Sequence, residues 1–256
     1  MTEDTTGARE PDAGYAGADF DRYFADAARS PALNEIFATH FDPAAPPSVR
    51  GFCFVTMAGL ERVAELLVDP TDGPLLDVGC GRGGPGLWLA GRLGRPLRGV
   101  DISRVAIAQA RAAAARRGAQ ATFSEGSLDD TRLPDDAVST TVCLDALHFA
   151  VDPAAAATEL LRVTRPGGVL VLTTWQTSSG PPRLRLDLAA TLRDAGWSVE
   201  LTEEHPDWLA AQLRLYVAAR EAPTGDPAVA RLRTEGDAVS PAIRTSRRLL
   251  IRAVRP

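Results

Sequence analysis

The sequence predicts an α/β protein built on a mostly parallel sheet with helices on both faces, and three observations predict it. From residue 75 onward, short apolar runs alternate with helical patterns of about 10–15 residues, the rhythm of strands joined by crossover helices. A glycine-rich turn, Gly79 to Gly84, links the first apolar run to its helix. Two acids, Asp77 and Asp101, stand near the carboxyl ends of the first two runs, where open sheets of this kind bind ligands.

The elements follow in chain order. Residues 1–18 are rich in Gly, Ala and Asp, lack hydrophobic periodicity and are expected to be disordered. Helical spacing marks residues 19–29 and 31–39, the second opening on a proline that suits a first helical turn, and residues 19–54 read as a helical cap. Pro43, Pro46 and Pro47 break the chain. Over residues 55–68, Met57, Leu60, Val63, Ala64 and Leu67 recur on one helical face, and Asp69-Pro70 closes the helix. Leu75–Val78 is a buried-type strand and Gly84–Leu93 a helix; residues 97–100 form the next strand, ending at Asp101. Ser103 caps the helix Arg104–Arg117, which Gly118 ends. Residues 121–124, 140–144 and 169–174 are strands three to five, with a helix over 154–164 closed by Arg165-Pro166-Gly167-Gly168. A helix over 183–194 and a strand over 197–201 complete the regular part of a core spanning residues 55–206. Residues 207–246 then interrupt the alternation with helices at 207–220 and 227–235, too long a stretch for a plain loop. A final strand at 249–254, within residues 247–256, rejoins the core.

Composition narrows the function. A net charge of −5 disfavours general attraction to nucleic acid, and no apolar stretch is long enough to span a membrane. All 28 basic residues are arginine, which excludes Schiff-base chemistry and a P-loop lysine. Cys53, Cys80 and Cys143 form neither a CxxC pair nor a metal-ligand spacing, so no metal is expected and a reducing, cytoplasmic setting is. The polar, acidic start argues against a signal peptide.

The run from Leu75 to Gly84 carries the chemistry. Its glycines (Gly79, Gly81, Gly84) satisfy the weak dinucleotide pattern G-x-G-x-x-G, but Asp77, two residues before the first glycine, would repel a pyrophosphate and attract an ammonium. The helix that follows begins with Pro85 and Leu87-Trp88-Leu89, with no basic group placed for phosphate. Asp101 is placed to accept hydrogen bonds from ribose hydroxyls. The competing explanation is that each acid only caps a neighbouring helix.

The runs LLDVGCGRGGPGLWLA, LRGVDIS and RLPDDAVSTTVCLDALHFAVDP…LLRVTRPGGVLVLTTW resemble class I S-adenosylmethionine (SAM)-dependent methyltransferases, over about residues 50–205. The likeness is greatest to the bacterial small-molecule branch of natural-product pathways. The resemblance implies a seven-stranded Rossmann-like sheet with strand seven antiparallel between strands five and six. It implies SAM as cofactor, with Asp77, Gly79, Cys80 and Gly81 at its methionine end, Asp101 at the ribose and Ile102 on the adenine. In many relatives an acid after strand three meets the adenine amino group; here Ser127 stands at that position, followed by Leu128. Proteins of this fold also include SAM-binding enzymes that catalyse cyclisation, decarboxylation or hydroxylation, and an NAD-dependent oxidoreductase rests on the glycine pattern alone.

Substrate groups are expected just past strands four and five. Asp145 and His148 follow strand four, with Asp145 assigned to the cofactor. His148 is the expected general base, since imidazole titrates near neutrality; shaping the pocket is its alternative role. Phe54, Met57, Trp175 and Trp208 are expected as walls for an apolar small molecule, under a cap rich in Phe20, Phe24, Phe37, Phe41, Phe52, Tyr15 and Tyr23. The arginine clusters, Arg183/Arg185 and Arg231/Arg233 among them, read as solvated helix faces. Neither a nucleic-acid nor a membrane partner is expected, and the protein is expected to be a monomer or homodimer.

Overall fold

The computed structural model describes residues 16–50, 53–68, 73–179, 182–223 and 225–256. A seven-stranded sheet organises them: β1 (Leu75–Val78), β2 (Leu97–Asp101), β3 (Ala121–Glu125), β4 (Val138–Leu144), β5 (Thr164–Gln176), β6 (Ser198–Glu204) and β7 (Arg247–Val254). The order is β3-β2-β1-β4-β5-β7-β6, with β7 antiparallel to both β5 and β6 and the other pairs parallel. Chain order reverses between β1 and β4, opening a crevice at their carboxyl ends.

The central strands are buried on both faces because helices cover both. One face packs Leu75, Val142, Val171 and Leu250 under α3 (Met57–Leu66), α4 (Gly84–Leu93) and α5 (Arg104–Arg117). The other packs Leu76, Val78, Cys143, Leu172 and Ile251 under α6 (Pro153–Val163) and α7 (Leu188–Asp194). Hence all four residues of β1 and all seven of β4 are buried, the near-continuous apolar run of a doubly covered parallel strand. The predicted bounds of β1, α4 and α5 hold, with Ser103 donating no ambiguity to the last: its Oγ accepts Ala106 N–H at 3.1 Å and Gly118 ends the helix at φ 59°.

A third apolar cluster joins the cap to the C-terminal insert. α1 (Gly17–Ala28) and α2 (Pro31–Ile36) meet α8 (Pro206–Glu221) and α9 (Pro227–Val239) through Leu33, Phe37, Phe41, Phe54, Leu215, Tyr216 and Val229. Phe54 is its hinge, in edge contact with Tyr216 at 5.9 Å and Phe41 at 6.1 Å.

Several boundaries differ from expectation. Residues 1–15, most of the segment expected to be disordered, lie outside the described residues, as do Tyr15 and Phe52 of the cap. Gly17 and Ala18 already belong to α1, whose start is tied by Asp19 accepting Ala16 N–H at 3.1 Å. The helix expected over 31–39 ends at Ile36 and widens into a π-helical turn, Phe37–Phe41, that buries both phenylalanines. Residues 183–194 divide into a 3₁₀ turn (Pro182–Leu184) and α7, because Asp187 accepts Ala190 N–H and starts a new helix. The Arg165-Pro166-Gly167-Gly168 turn lies within β5 and pairs with the chain end, Gly167 N–H donating to Arg255 O at 2.8 Å.

The helix expected to end at Glu235 continues through Gly236 to Val239. Gly236 is there for packing: a Cβ would stand 2.9 Å from the Tyr216 ring of α8. Gly236→Ala is therefore expected to force α8 and α9 apart and cost about 1–3 kcal/mol, despite alanine's better helix propensity. Urea denaturation measures this, and an unchanged or raised midpoint would contradict the packing account.

Candidate cofactor and substrate cavity

A cavity of about 460 Å³ lies at the carboxyl ends of β1, β2 and β4, roofed by α1 and α9. Its floor is the turn after β1. Gly79 takes φ 72° and donates N–H to Val100 O at 2.8 Å; Gly81 takes φ 51° and Gly83, which starts α4, φ 76°. A Cβ on Gly79 would stand 2.4 Å from Ala146 Cβ, so the tightest point of the turn admits glycine alone.

Asp77 and Asp101 bracket this turn. Asp101 is held by two backbone donors, Gly81 N–H to Oδ2 at 2.7 Å and Ser103 N–H to Oδ1 at 2.8 Å. Burial nonetheless raises its pKa above the ordinary carboxylate range, the two N–H donors opposing. Asp77 is 2% exposed, lines the cavity, and takes no hydrogen bond among the described residues. Burial, with the charge of Asp101, pushes its pKa up to about 7. Gly86 makes room for it, since a Cβ there would meet Asp77 Oδ2 at 2.2 Å. Neither acid caps a helix: Ser103 does that for α5, and Gly83 stands at the start of α4.

A buried carboxylate with no donor is the complement of a ligand cation. The groups lining this cavity suit SAM on that observation: Asp77 could accept from an ammonium and Asp101 from hydroxyls, with the positive-φ turn allowing close approach. Ile102, 43% exposed, lines the mouth, and Ser127 and Leu128 line the side beyond β3. Ser127 Oγ donates to Asp129 Oδ1 at 2.5 Å, and Asp129 also lines the cavity, bringing an acid two residues beyond the expected position. Cys80 lines it too, its thiol pushed up by burial.

Asp145 and Phe54 complete the inner wall. Asp145 takes φ 51° at the end of β4, and its carboxylate is fully engaged. It accepts Phe54 N–H at 2.7 Å, Thr173 Oγ1–H at 3.0 Å and Arg248 Nη2–H at 2.7 Å, while the same Nη2 donates to Phe54 O at 3.1 Å. Asp145 thus ties the segment around Phe54 to the sheet rather than offering free oxygens to a ligand.

Four expected site residues lie elsewhere. His148 is 3% exposed and outside the cavity lining; the next residue, Phe149, occupies the wall in its place. Its Nδ1 lies 3.4 Å from Thr174 Oγ1, and burial pushes its pKa down to about 3 against the pull of Asp145. So placed, the ring is a neutral packing group and not a base poised near neutrality. Trp175, on β5, packs in the third apolar cluster. Trp208 is 1% exposed, stacked on His205 at 4.0 Å and pressed against Gly59, because the α8 start docks on α3 instead of reaching the crevice. Met57 sits at the start of α3, its N–H bound to Asp42 Oδ2 at 2.6 Å, and packs on the main core.

Other residues complete the cavity wall. Phe20, Tyr23 and Phe24 come from α1, Arg183 from the turn before α7, and Arg231, Thr234 and Glu235 from α9. Arg231 stands over the Tyr23 ring at 5.5 Å and Arg183 over Phe149 at 5.5 Å, so these two half-buried arginines line the cavity. Arg231, Thr234, Glu235 and Ala238 share one helical face by their spacing, but in sequence that polar stripe is indistinguishable from a solvated one.

The sheet order and this crevice define a Rossmann-like methyltransferase architecture, and residues 76–172 match the model of the "Methyltransferase domain" family. Over that segment, less than half of its length, the chain resembles a methyltransferase domain of the class I type. It is similar to methyltransferase GfsG of Streptomyces halstedii, 32% identical over 118 residues, 44% of this chain and 42% of the relative. It is also similar to the ubiquinone biosynthesis O-methyltransferase of Alkalilimnicola ehrlichii, 31% identical over 119 residues, 45% of this chain and 47% of the relative. The matched segment thus spans less than half the length of these relatives. Among solved structures, that of the [4+2]-cyclase SpnF superposes with a TM-score of 0.74 at 22% identity, covering 95% of this chain and 97% of that one. Geranyl diphosphate C-methyltransferase from Streptomyces coelicolor does so with a TM-score of 0.61 at 16% identity, covering 98% and 100%. At such identities the likeness is one of fold.

Proposed function

We propose that this protein binds SAM in the crevice and transfers its methyl group to a small molecule held between α1 and α9. The observation that carries the reading is Asp77, a buried carboxylate without a donor among the described residues, beside a turn of three positive-φ glycines. When bound, SAM supplies an electrophilic methyl on a sulfonium. The chain's part is to hold and align. Asp77 takes the ammonium, Asp101 the ribose hydroxyls, Ile102 and Leu128 the adenine faces, and Asp129 the adenine amino group in place of the missing acid at Ser127. The aromatic side chains of α1, with Phe54 and Phe149, hold an apolar acceptor in line and keep water out, which is where most of the rate in a displacement of this kind arises. The resemblance of the motif runs to the natural-product branch supports a secondary-metabolite acceptor.

Titration calorimetry tests the cofactor assignment. SAM is expected to bind with an affinity that rises with pH through about 7, as Asp77 loses its proton and gains its charge. An affinity flat between pH 5.5 and 8 would remove Asp77 from the site.

A second reading is favoured by the likeness to the [4+2]-cyclase over nearly the whole of both chains, caps included. In it, SAM is bound but not consumed, and the cavity shapes an intramolecular reaction of the substrate. Release of S-adenosylhomocysteine during turnover decides between the two: stoichiometric release supports methyl transfer, and turnover without release supports the second.

A further inference from the structure

We infer that Glu235 is the proton acceptor of the reaction and that the methyl acceptor is a hydroxyl group on an apolar, ring-bearing molecule. This rests on the methyl-transfer reading above. With His148 withdrawn from the cavity, Glu235 is the carboxylate that α9 contributes to its lining, whereas Asp77 and Asp101 come from the ends of β1 and β2. One of its oxygens is anchored: Tyr216 Oη–H donates to Oε1 at 3.0 Å, and Gln212 Nε2–H donates to Tyr216 Oη at 2.8 Å. This chain orients the carboxylate from behind and leaves its second oxygen available. Phe20, Tyr23, Phe24, Phe54 and Phe149 line the same space, so the group beside the carboxylate is an apolar one that exposes a polar atom.

The electrostatics agree with a base. Burial holds the Glu235 pKa above the ordinary range, opposed by the Tyr216 hydrogen bond and by Arg183 and Arg248, while Asp145 adds to it. From α1, Tyr23 feels the Glu235 charge, its phenol raised by burial first and by Glu235 second. Raising a carboxylate's pKa makes its ionised form the stronger base. The step balances: an oxygen lone pair of the acceptor forms the new C–O bond, the methyl–sulfur bond breaks with its electrons going to sulfur, and the O–H proton passes to Glu235. The products are the methyl ether, neutral S-adenosylhomocysteine and a protonated carboxyl.

The test uses binding and not turnover, with two probes of one shape, 2-naphthol and its methyl ether 2-methoxynaphthalene, titrated into the whole protein saturated with S-adenosylhomocysteine. The naphthol is expected to bind at least about tenfold more tightly than the ether, the worth of a hydrogen bond to an ionised group. In Glu235→Leu that preference is expected to fall below about twofold, with S-adenosylhomocysteine affinity unchanged. Tyr216→Phe removes a bond that favours the ionised form, so the pH at which the preference disappears on acidification is expected to move upward. A preference kept in Glu235→Leu, no preference in the wild type, or no binding of the naphthol overturns the proposal. Failure of the wild type to bind S-adenosylhomocysteine instead sinks the methyl-transfer reading itself.

Discussion

Asp77→Asn is expected to make the ligand-free protein more stable at pH 8 while reducing SAM affinity at least about a hundredfold. Both effects have one cause. The Asp77 pKa stands at about 7 in the fold against 3.8 for an ordinary aspartate, through burial and then the charge of Asp101. The folded state therefore holds its proton more tightly than the unfolded chain. The stability linked to this group is full below pH 3.8 and declines as pH rises through about 7. Above that pH an ionised, unpartnered carboxylate is carried at a cost on the order of 4 kcal/mol. Asparagine removes the charge and most of that cost. The ligand's ammonium then loses its counter-charge in a buried site, where an ion pair is worth about 3 kcal/mol or more. Thermal denaturation at pH 5 and 8, with and without SAM, checks this. A variant destabilised at pH 8, or one binding SAM like the wild type, would show that Asp77 has a partner in the free protein or stands apart from the ligand.

The second large effect is at Asp145. Asp145→Ala is expected to lower stability by about 3–5 kcal/mol, because it strands Arg248, 0% exposed, with Nε and Nη1 already lacking partners. It also frees Phe54 N–H and Thr173 Oγ1, so the wall around Phe54 should loosen and any cavity ligand bind more weakly. Asp145→Asn retains the shape, tolerates φ 51° better than alanine, and should lose less. Burial alone would raise the Asp145 pKa, but Arg248 outweighs it and holds the group below the ordinary carboxylate range. The pair's stabilisation is accordingly present above pH 3.8 and lost as pH falls through the lower folded value. Urea midpoints across pH 3–7 measure it. Equal midpoints for wild type and Asp145→Ala at pH 7 would mean that the buried pair contributes nothing.

The two acids differ in how legible they were. Asp77 was readable because its meaning is local: an acid two residues before a glycine turn, on a strand, cannot avoid the crevice. From its place after strand four, Asp145 reads as a cofactor ligand, and it does line the cavity. Its partner, Arg248, is 103 residues away on an antiparallel strand, and no spacing in the chain announces that pair. His148 failed for a related reason. A 3₁₀ turn over Leu147–Phe149 rotates successive side chains, so Phe149 rather than His148 lines the cavity.

The same division runs through the caps. The apolar spacing of α9 was visible, but Gly236 reads as a helix stop until Tyr216 is seen to occupy the space of its missing Cβ. Only with that extra turn do Ala238 and Val239 join Glu235 over the cavity. Trp208 was expected at the wall as a large aromatic in an insert, whereas its ring fills the space over Gly59.

By itself, then, the sequence determined the sheet, the Leu75–Gly84 turn, and the cavity floor with Asp77, Gly79, Gly81 and Asp101. Those features depend on strand periodicity and on backbone conformations that neighbouring residues dictate. Only the tertiary structure decided the substrate side: which of His148, Phe149, Trp175, Trp208 and Glu235 faces the cavity. That choice follows from how α1, α8 and α9 dock across long stretches of chain, and close packing of large side chains rotates one residue into the wall and its neighbour out of it.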